Sequence, residues 1–377
     1  MKIKRLIKEK IIENIRNTNK ISIIYGPRQV GKTTLSKEIV ADLKLNTLSI
    51  NVDQGKYIDI LSSRDLVKMD SLITGYELLF IDEAQRIPNI GINLKILHDE
   101  RPDLKIIATG SSSFDLANKI SEPLTGRVWS YNLFPLAFCE LKNIYSNFEL
   151  NDLLESALVY GTYPEIFLAG NFKDKEDRLG EISQSYLYKD ILDLQDVRKA
   201  NKITSLLKLL SFQIGSEVSL QELADKLDIS RETVERYIDL LEKSFIIFRL
   251  SGLSRNLRKE VSKMDKIYFY DLGIRNAVID NFKPLQDRID VGALWENFLI
   301  VERMKYLSYT RQKNSRYFWR THTGAELDYI EEYGGKLFAY EMKWGKKMPN
   351  VPSAWRETYT NSEFKVINRD NYLEFIT

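Results

Sequence analysis

Apolar residues are spaced along the first third of the chain in two alternating rhythms. In MKIKRLIKEKIIENIRNTNK (1–20) the Ile and Leu side chains share one helical face. ISIIYG (21–26) is a short apolar run rich in β-branched residues, which predicts a buried strand. TTLSKEIVADLKL then reads as helix, NTLSINVD (46–53) as strand, and ELLFIDEAQ (77–85) as a buried strand ending in acids. INLKILHDERP is a helix closed before Pro102, and LKIIATGSSS (104–113) is a third apolar strand. Strand and helix alternate, which predicts an α/β fold with a parallel sheet and crossover helices. From about residue 135 the pattern changes. PLAFCELKNIY and NDLLESALVYGTYPEIF read as helices, broken at Gly161-Thr162-Tyr163-Pro164, and a helix-rich stretch runs to about 200. Residues 204–250 read as three short helices and a strand, and strands and helices mix again from about 265 to the end. The shifts predict four segments, 1–135, 136–200, 201–265 and 266–377.

The turn between the first strand and the second helix carries specific chemistry. Gly26, Pro27, Arg28, Gln29, Val30, Gly31, Lys32 and Thr33, followed by Thr34, fit G-x-x-x-x-G-K-[ST] at every position. Glycines let backbone N–H groups turn inward around phosphate oxygens, and the following helix points its positive end at the same anion. Lys32 is placed for the β- and γ-phosphates of ATP, and the Thr33 hydroxyl for Mg²⁺. LLFIDEAQ supplies the partner acids: Asp82 for the Mg²⁺ shell, and Glu83 as base or orienter of the attacking water. At the tip of the third strand, Thr109 and Ser111 either bond the water or the phosphate, or belong to a Ser-rich turn. Arg127, in LTGRVW, is either an arginine finger reaching a neighbouring subunit or a salt-bridged surface residue.

SLQELADKLDISRETVERYIDLLEKSFIIFRL (219–250) has helix–turn–helix rhythm. Ser219 and Glu222 suit a capping box. Leu220, Leu223, Ala224 and Leu227 form an apolar face, Ile229 falls in the turn, and Ser230 caps a second helix with Val234, Ile238 and Leu241 inward. Arg231, Glu232, Glu235 and Arg236 then face outward, where a DNA reader meets base edges. FIIFRL and the basic residues Arg255, Arg258, Lys259, Lys263 and Lys266 follow like a wing.

Near the end, GAELDYIEEYGGKLFAYEMKW (324–344) reads as a hairpin turning at Gly334-Gly335. Glu341 and Lys343 are two apart, so they share a strand face, with Asp328 on the partner strand. An Asp and a Glu on adjacent strands with a nearby Lys make an oxygen cage for a divalent cation, with the lysine polarising a water that attacks a phosphodiester. A fold of this kind that is catalytically idle, and surface charges on a hairpin, are the alternatives. Arg320 and His322 precede the hairpin as phosphate contacts or rim residues. Tyr268, Phe269 and Tyr270 fit the core of a strand better than a base-stacking platform.

GPRQVGKTT, LLFIDEAQ, ATGSSSFDL, LTGRVWSYNLFPLAFCEL and YGTYPE together resemble the AAA+ ATPases of the archaeal and bacterial branch without assigned function, over roughly residues 15–170. The third strand carries Thr-Gly-Ser where that pattern has a polar Asn, and no second-sensor arginine stands out. The resemblance implies an ATPase core (1–135), a helical lid (136–200) and a tendency to form homo-oligomers. Residues 201–265 resemble a winged helix. About 265–360 resembles the PD-(D/E)xK, restriction-endonuclease-like domains. That match implies that Asp328 and Glu341 bind metal, that Lys343 assists hydrolysis, and that Glu296, in LWENFLIVERM, is the extra acid from a helix.

Composition narrows the picture. Lys plus Arg (55) nearly balance Asp plus Glu (53), so any nucleic-acid surface is local. One cysteine, Cys139, excludes an internal disulfide and a Cys-based zinc site, and two histidines, His98 and His322, argue against a His-rich metal centre. The N-terminus lacks the apolar core of a signal peptide, and no apolar run is long enough to span a bilayer. The expectation is a cytoplasmic ATPase with ATP or ADP and Mg²⁺ as ligands, DNA as partner and no membrane contact. Two roles compete: a machine acting on nucleic acid, or a regulatory switch whose C-terminal domain only binds.

Overall fold

A computed structural model describes residues 3–52, 55–110, 124–185, 200–255 and 264–377. They form two compact units. The first runs to Phe134 and includes Lys243–Phe245; the second comprises Pro135–Glu242 and Ile246–Thr377.

The first unit is built on five parallel strands: β1 (Ile21–Tyr25), β2 (Thr47–Asn51), β3 (Leu78–Asp82), β4 (Lys105–Gly110) and β5 (Val128–Asn132), in the order β2-β3-β4-β1-β5. β1 is buried throughout, as its unbroken apolar run requires of a central parallel strand. β4 lies between the two strands that carry the phosphate loop and the paired acids. The N-terminal helix, Ile7–Asn17, buries Ile7, Ile11, Ile12 and Ile15 at helical spacing. The helix Ile90–Glu100 ends before Pro102 as expected. β5 has no apolar run to betray it: it is an edge strand in which, of five residues, only Tyr131 is buried.

In the second unit a polar knot holds the short motifs together. The expected helix over PLAFCELKNIY shrinks to Phe138–Leu141. The helix Asn147–Tyr160 stops at Gly161, whose φ of 72° suits glycine. A Cβ there would lie 2.0 Å from Asp271 Oδ1, while the Asp271 carboxylate accepts the N–H groups of Thr162, Gly273 and Ile274. Buried Lys305 bonds Glu302, the Thr162 hydroxyl and the Leu136 carbonyl, and Glu302 accepts the Phe138 N–H. YGTYPE is therefore a buried polar junction with the start of the helix Leu272–Val278.

Helices Ala200–Phe212, Leu220–Leu227 and Arg231–Lys243 precede an antiparallel pair, β6 (Ile247–Leu250) and β7 (Lys266–Phe269). Ser219 accepts the Glu222 N–H at 3.3 Å, but Glu222 itself turns to Lys226, so only half of the capping box forms. The long helix Val291–Thr310 is followed by β8 (Ser315–Arg320), β9 (Glu326–Tyr333), β10 (Lys336–Met342), the helix Ser353–Thr358 and β11 (Ser362–Ile367). The sheet order is β11-β10-β9-β8. β8, β9 and β10 are antiparallel, with the expected glycine turn at φ 58° and 76°, and β11 is parallel to β10. Trp319, Trp355, Leu327, Ile330 and Leu337 pack on one face.

Candidate functional site

The C-terminal ends of β1, β3 and β4 carry the first site. Gly26 has φ 155° and lies so close to Leu133 that a Cβ would fall 2.2 Å from its carbonyl oxygen, so the loop leaves the sheet only through glycine. Gly31, at φ 95°, caps the helix Lys32–Leu43. Lys32 is buried, and its ammonium is held inside the loop by the carbonyls of Gly26 (2.9 Å) and Pro27 (2.8 Å). Val30 is fully buried and Pro27 buried, Arg28 half-buried, and Gln29 and Thr34 exposed. Thr33 Oγ1 donates to Asp82 Oδ2 at 2.8 Å, and Thr109 Oγ1 donates to Asp82 Oδ1 at 2.5 Å. The same Thr109 oxygen accepts the Glu83 N–H at 3.1 Å. Glu83 sits in the left-handed region (φ 57°), and its carboxylate accepts the Gln85 amide. Thr109 therefore orders the two acids. Ser111 lies outside the described residues.

The residues fit a magnesium–triphosphate complex. A hydroxyl and a carboxylate, both hard oxygen donors, meet at a helix N-terminus, and the phosphates supply the remaining oxygens in such sites. Arg5 is a brace that the sequence pattern did not reveal. It is buried, and its guanidinium donates to Val30 O (2.9 Å) and Phe134 O (2.6 Å), fixing the loop from behind.

Arg127 is placed elsewhere. It precedes β5, its carbonyl accepts the Ile21 N–H at the start of β1, and its guanidinium grips Asp99 through two bonds of 2.8 and 3.1 Å. The phosphate loop begins five residues beyond Ile21, roughly 16 Å along the strand. The surface ion pair is the reading this geometry supports, and Arg127 cannot serve its own loop.

The second site is an acidic cluster at the ends of β7, β9 and β10. Lys343 Nζ lies 2.6 Å from Glu341 Oε1 and 3.9 Å from Asp328 Oδ2, and Asp328 Oδ2 also accepts the Met342 N–H at 2.7 Å. Glu296 accepts the Tyr268 hydroxyl at 2.6 Å and pairs with Lys266 at 3.4 Å. Burial pushes the carboxyls of Glu296, Asp328 and Glu341 upward. Burial also opposes the charge on Lys266, but Glu296, Glu326 and Asp328 outweigh it and hold its pKa high. The four residues named from the sequence do converge. Two ammonium groups stand among the carboxylates, and among the described residues no three acidic, histidine or cysteine side chains form a ready cation cage. Lys266, read from sequence as part of a basic wing, is in fact buried at 3% exposure.

The other expected contacts are already engaged. Arg320 pairs with Glu217 and Glu326, His322 is exposed, and Arg255 pairs with Glu332. Arg258, Lys259 and Lys263 lie outside the described residues. On the helix Arg231–Lys243, Val234, Ile238 and Leu241 are buried, and Arg231, Glu232, Glu235 and Arg236 are exposed, as expected. No helix among the described residues is long and apolar enough to cross a membrane.

Residues 18–142 match the family described as AAA domain. With the loop and parallel sheet above, this match makes the N-terminal unit similar to AAA-type P-loop domains. Residues 151–285 and 291–369 match families described as domains of unknown function, DUF8612 and DUF4143. An uncharacterised protein of Mycobacterium tuberculosis is 29% identical over 86% of this chain and 70% of its own length. One of Methanocaldococcus jannaschii is 28% identical over 78% of this chain and 70% of its own. Among solved structures, a Walker-type ATPase of Pyrococcus abyssi aligns over 72% of this chain and 94% of its own, at 16% identity and TM-score 0.49.

Proposed function

We propose that this protein is a Mg²⁺-dependent ATPase whose turnover serves a nucleic-acid-binding C-terminal half. One observation carries the ATPase reading. A hydrogen-bonded chain, Thr33–Asp82–Thr109–Glu83, ties the tips of β1, β3 and β4 into one device beside Lys32. When a triphosphate binds, the Lys32 ammonium exchanges the carbonyls of Gly26 and Pro27 for phosphate oxygens. The helix beginning at Lys32 adds its positive end. Thr33 and Asp82 would hold the magnesium, which would supply positive charge against the phosphates, and Glu83 orients the attacking water.

The nucleic-acid reading rests on two features. Three helices and the β6–β7 pair have the outline of a winged helix over segment 201–265, with arginines on the outward face of its last helix. In segment 266–377 the order helix, three antiparallel strands, helix and a parallel fourth strand resembles the restriction-endonuclease-like fold. Lys266 and Lys343 favour a domain that grips without cutting. They already supply the positive charge that a divalent cation would bring.

ATP turnover with and without duplex or single-stranded DNA tests the coupling. The expected result is stimulation by DNA in the wild type and none in Lys32→Ala. A rate indifferent to DNA would leave a switch that regulates some other partner.

A further inference from the structure

The C-terminal sheet carries a second recessed surface, away from the acidic cluster. It is a cleft of about 680 Å³ between the end of the helix Val291–Thr310 and the sheet. Residues two apart on a strand share a face. Glu331 and Tyr333 of β9, with Phe338 and Tyr340 of β10, therefore project to the cleft side, and Asp328 and Glu341 project to the other.

The lining has a definite chemistry. Arg303 is committed to Glu331 through two bonds of 2.7 and 2.9 Å and to the Phe375 carbonyl, so that pair is close to neutral. The lining as a whole carries three cations, Arg303, Arg311 and Lys313, against one carboxylate, Glu331, and Lys313, just beyond the helix, is exposed. Tyr333 is 65% exposed, an aromatic ring left open on the sheet, while the Lys336 ammonium stands over the half-buried Phe338 ring, 5.3 Å from its centroid. Gln312 and Asn314 add amide donors and acceptors at the rim. Aromatic faces beside cations and amides suit one ligand class: a flat heteroaromatic ring stacks on the aromatics while its phosphate meets the cations.

We infer that this cleft binds a nucleoside phosphate unit, with the base stacked against Tyr333 and the phosphate at Lys313. The unit comes either from a single strand or from a free nucleotide. The inference builds on the nucleic-acid reading above and gives it a site that is neither the phosphate loop nor the acidic cluster.

The test uses the full chain with Lys32→Ala, which disables the phosphate loop, in EDTA without ATP. Anisotropy of a fluorescein-labelled dodecathymidylate measures strand binding, and unlabelled dTMP competes. Tyr333→Ala and Lys313→Glu are both surface changes that leave the fold intact. Each is expected to weaken the oligomer's Kd about tenfold, and dTMP is expected to displace the probe. Binding of dTMP alone, lost in both variants, would support the cleft with a free nucleotide as its source. An oligomer Kd unchanged in both variants would overturn the inference and leave the nucleic-acid reading standing. No binding of either probe would overturn both.

Discussion

The phosphate-loop edge of the first unit and the acidic cluster of the second both bring carboxylates, a lysine and a strand end together, yet they satisfy their charges in opposite ways. At the first, both Asp82 oxygens accept hydroxyl protons, from Thr33 and Thr109. A hydroxyl gives up its bond cheaply, since its oxygen can itself turn a lone pair to the metal. At the second, the carboxylates face ammonium groups, Lys343 on Glu341 and Lys266 on Glu296. Removing one partner of a buried ion pair costs about 3–5 kcal/mol. A divalent ion entering there must displace charge that is already in place. Similar residue types are thus held by hydroxyl groups in one case and by ammonium groups in the other.

The sharpest break at the first site is Lys32→Ala. It removes the charge that meets the phosphates, and kcat for ATP should fall about 10³-fold. Thr109→Val keeps the shape but takes a donor from Asp82 and an acceptor from the Glu83 N–H. A lost bond to a charged group of this kind is worth about 1.5–3 kcal/mol, so turnover should drop about 10–100-fold, with ATP affinity changing less. Wild-type turnover in Thr109→Val would show that the chain through Asp82 does not order the site. Arg127→Ala should be the mildest, within about twofold in steady-state rate, because an ion pair exposed to solvent is screened and contributes little. A drop of several hundredfold would restore Arg127 as a residue acting on a neighbouring copy's nucleotide.

What the sequence showed followed from contiguity. The phosphate loop, the LLFIDEAQ strand, the helix–turn–helix and the glycine-turned hairpin each lie in one stretch whose period or spacing states its structure. β5 was hidden because an edge strand with one buried residue has no apolar run. Arg5 was hidden because its partners lie 25 and 129 residues away. Lys266 misled for the opposite reason: its neighbours in sequence are basic, but its partner, Glu296, comes from a distant helix. Thr109 was noticed, but only the strand order, with β4 between β1 and β3, shows that it serves Asp82.

The contrast between the two sites is a claim about cations, so counting bound Mn²⁺ by electron paramagnetic resonance tests it most directly. With a non-hydrolysable ATP analogue, the wild type is predicted to bind one Mn²⁺ per chain, lost in Thr33→Val. Lys266→Met, with Tm followed to confirm folding, should admit a second ion near the buried, unpartnered Glu341 Oε2, and Asp328→Ala should remove it again. A second tightly bound Mn²⁺ in the wild type, abolished by Asp328→Ala, would contradict the account and make the acidic cluster a working metal site.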